Sequence, residues 1–179
     1  MSHSVLDLFI LSLLDRGLET PYDLQRQGGL SLGSTVPALR RQETAGLIRK
    51  RKVNGDSKRP RHSYQLSAAG RKLARSGWIP LLKDQPPSDF DAVLRLADIA
   101  GHYKAKVTDI ASLFDRAAKD RVLWSKRAAV EKDTDVLASL LYVVTRNDWE
   151  AGRLAAEAKF LFSLAKSVSA VGLKESKTV

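Results

Sequence analysis

A chain of 179 residues with 44% hydrophobic side chains can build one domain with a helical extension, which sets wholesale disorder aside. It holds no cysteine, so disulfides and thiolate metal sites are excluded, as suits a reducing cytoplasm. The net charge of +10 is uneven: residues 1–80 carry 14 basic and 6 acidic side chains, a net +8, and the rest is nearly neutral. That is the footprint of a polyanion-binding head on a different kind of body.

The apolar run Val5–Leu11 is too short to span a bilayer and contains Asp7. It also lacks the basic leader and cleavage site of a secretory signal, so no membrane partner is expected. Residues 4–15 predict a first helix, with Val5, Leu6, Phe9, Ile10, Leu13 and Leu14 at helical spacing. Leu8 and Leu11 make it apolar on most sides, so it must touch more than one neighbour, and Gly17 ends it. Thr20-Pro21 starts a short second helix that stops at Gly28-Gly29. A third begins between Ser31 and Ser34, carries Pro37 near its start and ends at Gly46.

The period then changes. Leu47–Val53 is strand-like and closes on Asn54-Gly55, a hairpin signal, and Arg61–Leu66 returns as its partner. Ser67 caps a further helix that fades near Gly77-Trp78. Three helices, a hairpin and a helix are the outline of a winged helix-turn-helix. Lys83–Pro87 marks a boundary, after which Ser88 is the expected cap of a helix carrying Val93 and Leu96. Helical signal continues to about Val130, breaks at Lys132-Asp133-Thr134, and resumes as a long helix to about Ala170. The expected class is mainly α with a small β-hairpin wing: a DNA-binding domain over 1–82, a helical dimerisation or regulatory region over 88–171, and a disordered tail over 172–179.

In a winged helix the third helix enters the major groove and the wing flanks it. Arg40 and Arg41 project from the third helix, and Lys58, Arg59 and Arg61 sit on the wing. An arginine fork can bind a guanine edge or hold a phosphate. Ser31, Ser34 and Thr35 can offer hydroxyls and free N–H groups to phosphate, with Pro37 beside them. Of Arg49, Lys50, Arg51 and Lys52, at most half can face one partner, because strand side chains alternate.

Residues 5–78 resemble the PadR-type winged-helix regulators. The resemblance rests on Pro21-Tyr22-Asp23-Leu24, on the stretch Gly33 to Arg41, on Gly46-Leu47-Ile48 entering the wing, and on Tyr64 to Gly70 leaving it. It implies a transcriptional repressor that binds double-stranded DNA as a homodimer on a palindromic site, with room for a small-molecule effector. It also implies dimerisation through the C-terminal helices and the first helix, with Leu6, Phe9, Leu13, Leu140, Leu141, Phe160, Leu161 and Leu164 as candidates. Trp124 and Trp149 could line an effector pocket, but core positions are expected for both. The chain departs from the family where Val36 replaces an aromatic before the proline, Gln42 a leucine, and Thr35 an apolar residue. Leu32, Val36 and Leu39 would make a more apolar buried stripe than Thr35, Leu39 and Gln42, so a third helix that is rotated or less firmly seated is expected.

Catalysis finds no support. His3, His62 and His102 are scattered, and no phosphate loop or nucleophile elbow occurs, so no cofactor and no metal is expected. The alternatives are a winged helix used as a protein-interaction module, or a nucleic-acid binder without operator specificity. An apolar third helix would favour the protein module.

Overall fold

The computed structural model describes residues 3–53, 61–130 and 141–175. Helices α1 (Val5–Asp15), α2 (Pro21–Arg26) and α3 (Leu32–Thr44) lead into the hairpin β1 (Ile48–Val53) and β2 (Arg61–Leu66), and α4 (Ala68–Ser76) follows. Then come α5 (Ile79–Lys83), α6 (Phe90–His102), α7 (Val107–Val130) and α8 (Leu141–Glu175). The chain divides into two compact units: Met1–Leu81 with Asp98–Tyr103, and Leu82–Ala97 with Lys104–Val179.

The first unit has the winged-helix order, and its element boundaries have local causes. Side-chain hydroxyls of Ser4, Thr20, Ser31 and Ser67 accept from the backbone amides of Asp7, Asp23, Ser34 and Gly70, fixing the starts of α1, α2, α3 and α4. At the end of α3, Gly46 takes φ +69° while Leu47 N donates to Gln42 O (2.9 Å) and Gly46 N to Glu43 O (3.0 Å). This paired closure turns the chain directly into β1. The hairpin is antiparallel, in register from Ile48↔Leu66 to Val53↔Arg61. Tyr64 N donates to Glu19 O (2.8 Å), which ties the α1–α2 connection to β2.

Helix α1 is the hub of this unit. Leu8, Ile10 and Leu11 are fully buried, and α1 packs on α3, α4 and β2, as a helix apolar on most sides must. Asp15, at its end, gathers Arg71, Arg75 and the Tyr103 hydroxyl, which donates to Asp15 Oδ2 at 3.1 Å. Burial, and then the Asp15 charge, pushes the Tyr103 phenol up to about 12. The Tyr103 ring stacks on Trp78 with centroids 6.4 Å apart. Together with the Arg16–Asp98 ion pair at 2.6 Å, these ties account for Asp98–Tyr103 belonging to the first unit.

In the second unit α7 and α8 pack antiparallel: Ser125 Oγ donates to Ala151 O, and Arg121 meets Glu157 further along. Arg121 is fully buried, yet its donors are met by Glu157 (2.8 Å) and by the carbonyls of Ala117 and Ser88 (3.1 Å each). Its guanidinium also lies over the Phe90 and Trp124 rings.

Several expectations are corrected. Helix α5 fills the stretch between the expected end of α4 near Trp78 and the expected boundary at Lys83–Pro87, where no element was expected. The cap of α6 is Asp89, whose Oδ1 accepts from Ala92 N at 2.7 Å, whereas Ser88 offers its carbonyl to Arg121. Helix α8 continues through Gly172 to Glu175. The expected break at Lys132-Asp133-Thr134 lies outside the described residues. No helix among the described residues is long and apolar enough to cross a membrane.

Gly70 is required by packing, because a Cβ there would sit 2.0 Å from the Leu47 carbonyl oxygen. Gly70→Ala should destabilise by about 1–3 kcal/mol, since backbone rather than a flexible side chain must yield. Gly152, in the interior of α8, has nothing within 4 Å of its would-be Cβ. Gly152→Ala should therefore stabilise by about 0.5–1 kcal/mol, and thermal melts of the two variants should move in opposite directions.

Candidate nucleic-acid interface

The seating of α3 decides which of its side chains can meet a partner. Thr35, Ala38, Leu39 and Gln42 form its buried stripe, while Leu32 and Val36 are 44% and 36% exposed. The expected rotation toward a Leu32–Val36–Leu39 stripe is thus corrected, and hydrogen bonds supply the reason. Thr35 Oγ1 donates to Ser31 O at 2.7 Å, and Gln42 Nε2 donates to Asp7 O at 3.0 Å. Each of these two buried polar side chains thus makes a hydrogen bond inside, although Gln42 Oε1 finds no partner among the described residues. Thr35 is in turn corrected as a phosphate contact, because its hydroxyl is buried and already bonded.

Asp7 of α1 is the anchor. Its carboxylate accepts from Ser4 Oγ (2.7 Å) and from Arg41 Nη2 (2.9 Å), with Gln42 Nε2 at 3.5 Å. Burial raises this carboxyl, but the bonds from Ser4 and Arg41, the Arg41 charge and the Gln42 bond outweigh it, leaving the group below its ordinary 3.8.

The outward face of α3 carries Gly33, Val36, Pro37, Arg40 and Thr44, all exposed. The two arginines are not equivalent. Arg41 is exposed but tied to Asp7, whereas Arg40 has no hydrogen bond or ion pair among the described residues. Ser31 and Ser34 bond each other at the start of α3, with Ser31 exposed and Ser34 half-buried. On the wing, Arg49, Lys50 and Arg51 are all exposed, and Arg51 reaches Gln65 Oε1 at 3.0 Å. Arg61 pairs with Val53 through its backbone, while Lys58 and Arg59 lie outside the described residues. A groove of about 660 Å³ beside α3 is lined by Pro21, Tyr22, Leu32 and His62, with Tyr22 itself exposed.

Of the dimerisation candidates, Phe9, Leu13 and Leu161 are buried within one chain, so their cover needs no second copy. Leu6 and Leu164 are half-buried, and Phe160 is exposed with its ring tilted 6.1 Å from Phe90. Leu140 and the side chain of Leu141 lie outside the described residues. Trp124 is half-buried against Arg121, but Trp149 is 64% exposed under the Arg153 guanidinium, correcting its expected core position. The sequence missed Asp7, whose aspartate on an otherwise apolar helix was the available signal.

No family model matches the chain, and no curated protein does. Among solved structures the chain is similar to that of Bacillus subtilis PadR in complex with operator DNA, at 18% identity and a TM-score of 0.41. The match covers 93% of this chain and 98% of that one. At that score the likeness carries no argument, and the winged helix of this chain rests on its own element order and hairpin register.

The Asp7 tie predicts an acid response. A folded carboxyl held below its unfolded value contributes stability that is fully present above the ordinary carboxylate range and lost as pH falls below about 3.8. Melting temperature should therefore fall more steeply on acidification in the wild type than in Asp7→Asn. Parallel acid profiles would show that the carboxylate does not hold α3.

Proposed function

We propose that the chain is a sequence-specific DNA-binding transcription regulator, a cytoplasmic repressor that binds a palindromic operator as a homodimer. The observation that carries this reading is Arg40. It stands exposed on the outward face of an α3 firmly bonded to α1, with no carboxylate partner among the described residues. The exposed wing cations Arg49 and Lys50 and the +8 charge of residues 1–80 support it. In this arrangement Arg40 reads a base edge, Arg41 contacts the backbone while tethered to Asp7, and the wing holds phosphate. Ser31, Ser34 and Pro37 border the same approach, and Lys58, Arg59 and Arg61 extend the wing charge. A small-molecule effector has a candidate seat in the second unit, in a groove of about 580 Å³ with Phe162 and Val122 in its wall and Lys126, Lys159 and Lys166 along it.

Duplex binding should weaken with salt, with a log–log slope of about −0.9 for each phosphate neutralised. Arg40→Ala should lose about 1–3 kcal/mol of discrimination between a selected operator and random duplex. Arg49→Ala should weaken both duplexes alike and flatten the slope. No binding at low salt would sink the DNA reading.

A homodimer should place its two α3 helices about 34–36 Å apart to meet successive major grooves. Light scattering on the full chain at micromolar concentration should give twice the monomer mass, and a monomer there would remove the palindromic site from the proposal.

The exposed Tyr22, Leu32 and Val36 favour a second reading, a winged helix that docks on a protein. It requires that these side chains serve no purpose on DNA.

A further inference from the structure

We infer that Val36, with Leu32 one turn before it, reads thymine methyl groups in the major groove beside the base contacted by Arg40. This deepens the DNA-binding reading and rests on it. Leu32, Val36 and Arg40 follow one another at i, i+4 and i+8, so they share one line along α3. All three are exposed, and the orientation that exposes them is held by the hydrogen bond from Gln42 Nε2 to the Asp7 carbonyl of α1 and by the Arg41–Asp7 ion pair. Two apolar side chains are therefore held in water immediately ahead of an arginine without a carboxylate partner among the described residues.

The occupant follows from the surrounding chemistry. Arg40 and the exposed wing cations Arg49 and Lys50 favour a polyanion over an apolar protein surface. Within the major groove the thymine 5-methyl is the apolar group on the base edges, and small apolar side chains contact it. Val36 suits the task because it is short and β-branched, so its methyl groups hold a nearly fixed position. Gly33, one turn before Pro37 on the outward face, has nothing within 4 Å of a would-be Cβ and lets the helix backbone approach closely. Four helical residues advance about 6 Å, close to two base-pair steps of about 3.4 Å. The thymine met by Val36 is thus placed within about two base pairs of the guanine met by Arg40.

The test uses the full chain and a duplex that it selects from a random pool. Each thymine of the selected duplex is replaced in turn by deoxyuridine, which removes the methyl and leaves every hydrogen-bonding group in place. At least one replacement within two base pairs of the position that Arg40→Ala relaxes should weaken wild-type binding about four-fold, the equivalent of one buried methyl group. The same replacement should have no effect on Val36→Ala, which keeps a helix-favouring side chain at an exposed position and so leaves the fold intact; circular dichroism checks this. Selection of a site with full-strength binding after every thymine replacement overturns the inference and leaves the DNA reading standing. So does a Val36→Ala protein that remains sensitive to the methyl group. Unchanged DNA affinity in both Val36→Ala and Leu32→Ala gives their exposed surface to a protein partner instead. Failure to select any duplex at low salt removes the DNA reading itself.

Discussion

The rotation of α3 about its own axis governs what this molecule can present, and it is set by contacts with Asp7 on α1. A helix of this length can bury one stripe, and two were available. The more apolar one runs through Leu32, Val36 and Leu39, but its next member at helical spacing is Glu43. Rotating to bury it would draw a carboxylate toward the core, at a cost of several kcal/mol without a partner. The stripe Thr35, Ala38, Leu39, Gln42 contains no ionised group. Its two polar members bond to the Ser31 carbonyl and to the Asp7 carbonyl, and the Gln42 Oε1 left without a partner among the described residues costs about 1–3 kcal/mol, less than a buried charge. Avoiding a buried charge outweighs the gain of covering two more apolar side chains, which is about 1.5–3 kcal/mol each at most.

That choice separates functions that composition alone lumps together. Arg40 and Arg41 are neighbours in sequence, but the Asp7 carboxylate holds one and leaves the other free. Helix α1 can serve as a fixed reference for α3 because it is itself packed on α3, α4 and β2. The Gly46 closure sends the chain from the end of α3 straight into β1, so the wing inherits its position from the same helix. An α3 bonded to α1, with a short connection to the hairpin, presents its cations without first having to order them, which would lower the entropic cost of any binding.

Much of this fold was legible because its signals are local. Ser4, Thr20, Ser31 and Ser67 each announce a helix within three residues, and Gly17 and Gly46 each end one. The Pro21-Tyr22-Asp23-Leu24 and Tyr64-to-Gly70 stretches carried the family resemblance for the same reason. What escaped depends on partners far along the chain. The attachment of Asp98–Tyr103 to the first unit requires Tyr103 to meet Asp15 and Trp78. The burial of Arg121 requires Glu157 and two carbonyls on separate segments. In the candidate site, the basic residues of α3 could be named from sequence, but of the two stripes it offered, apolarity favoured the one that the structure leaves exposed at Leu32 and Val36. Apolar periodicity scored the two stripes of α3 without weighing Glu43 or the hydrogen bonds open to Gln42.

The uneven charge also acquires a physical meaning from pairing rather than from number. In the second unit, arginines work as internal donors: Arg121 to Glu157, Arg153 to Glu150 and Glu157, and Arg116 to the Leu82 carbonyl. The hydrogen bonds that Arg153 donates to Glu150, with the nearby acidic charges, hold its guanidinium above its ordinary range. The Arg121 and Arg153 charges are thereby neutralised in place and project little field. In the first unit, Arg71 and Arg75 share Asp15, but Arg40, Arg49 and Lys50 have no carboxylate partner among the described residues. An unpaired cation keeps its attraction for a polyanion, screened only over a Debye length of about 8 Å at physiological salt. In the winged-helix unit, α3 and the hairpin are thus among the elements whose cations stay available, Arg40 on the one and Arg49 and Lys50 on the other.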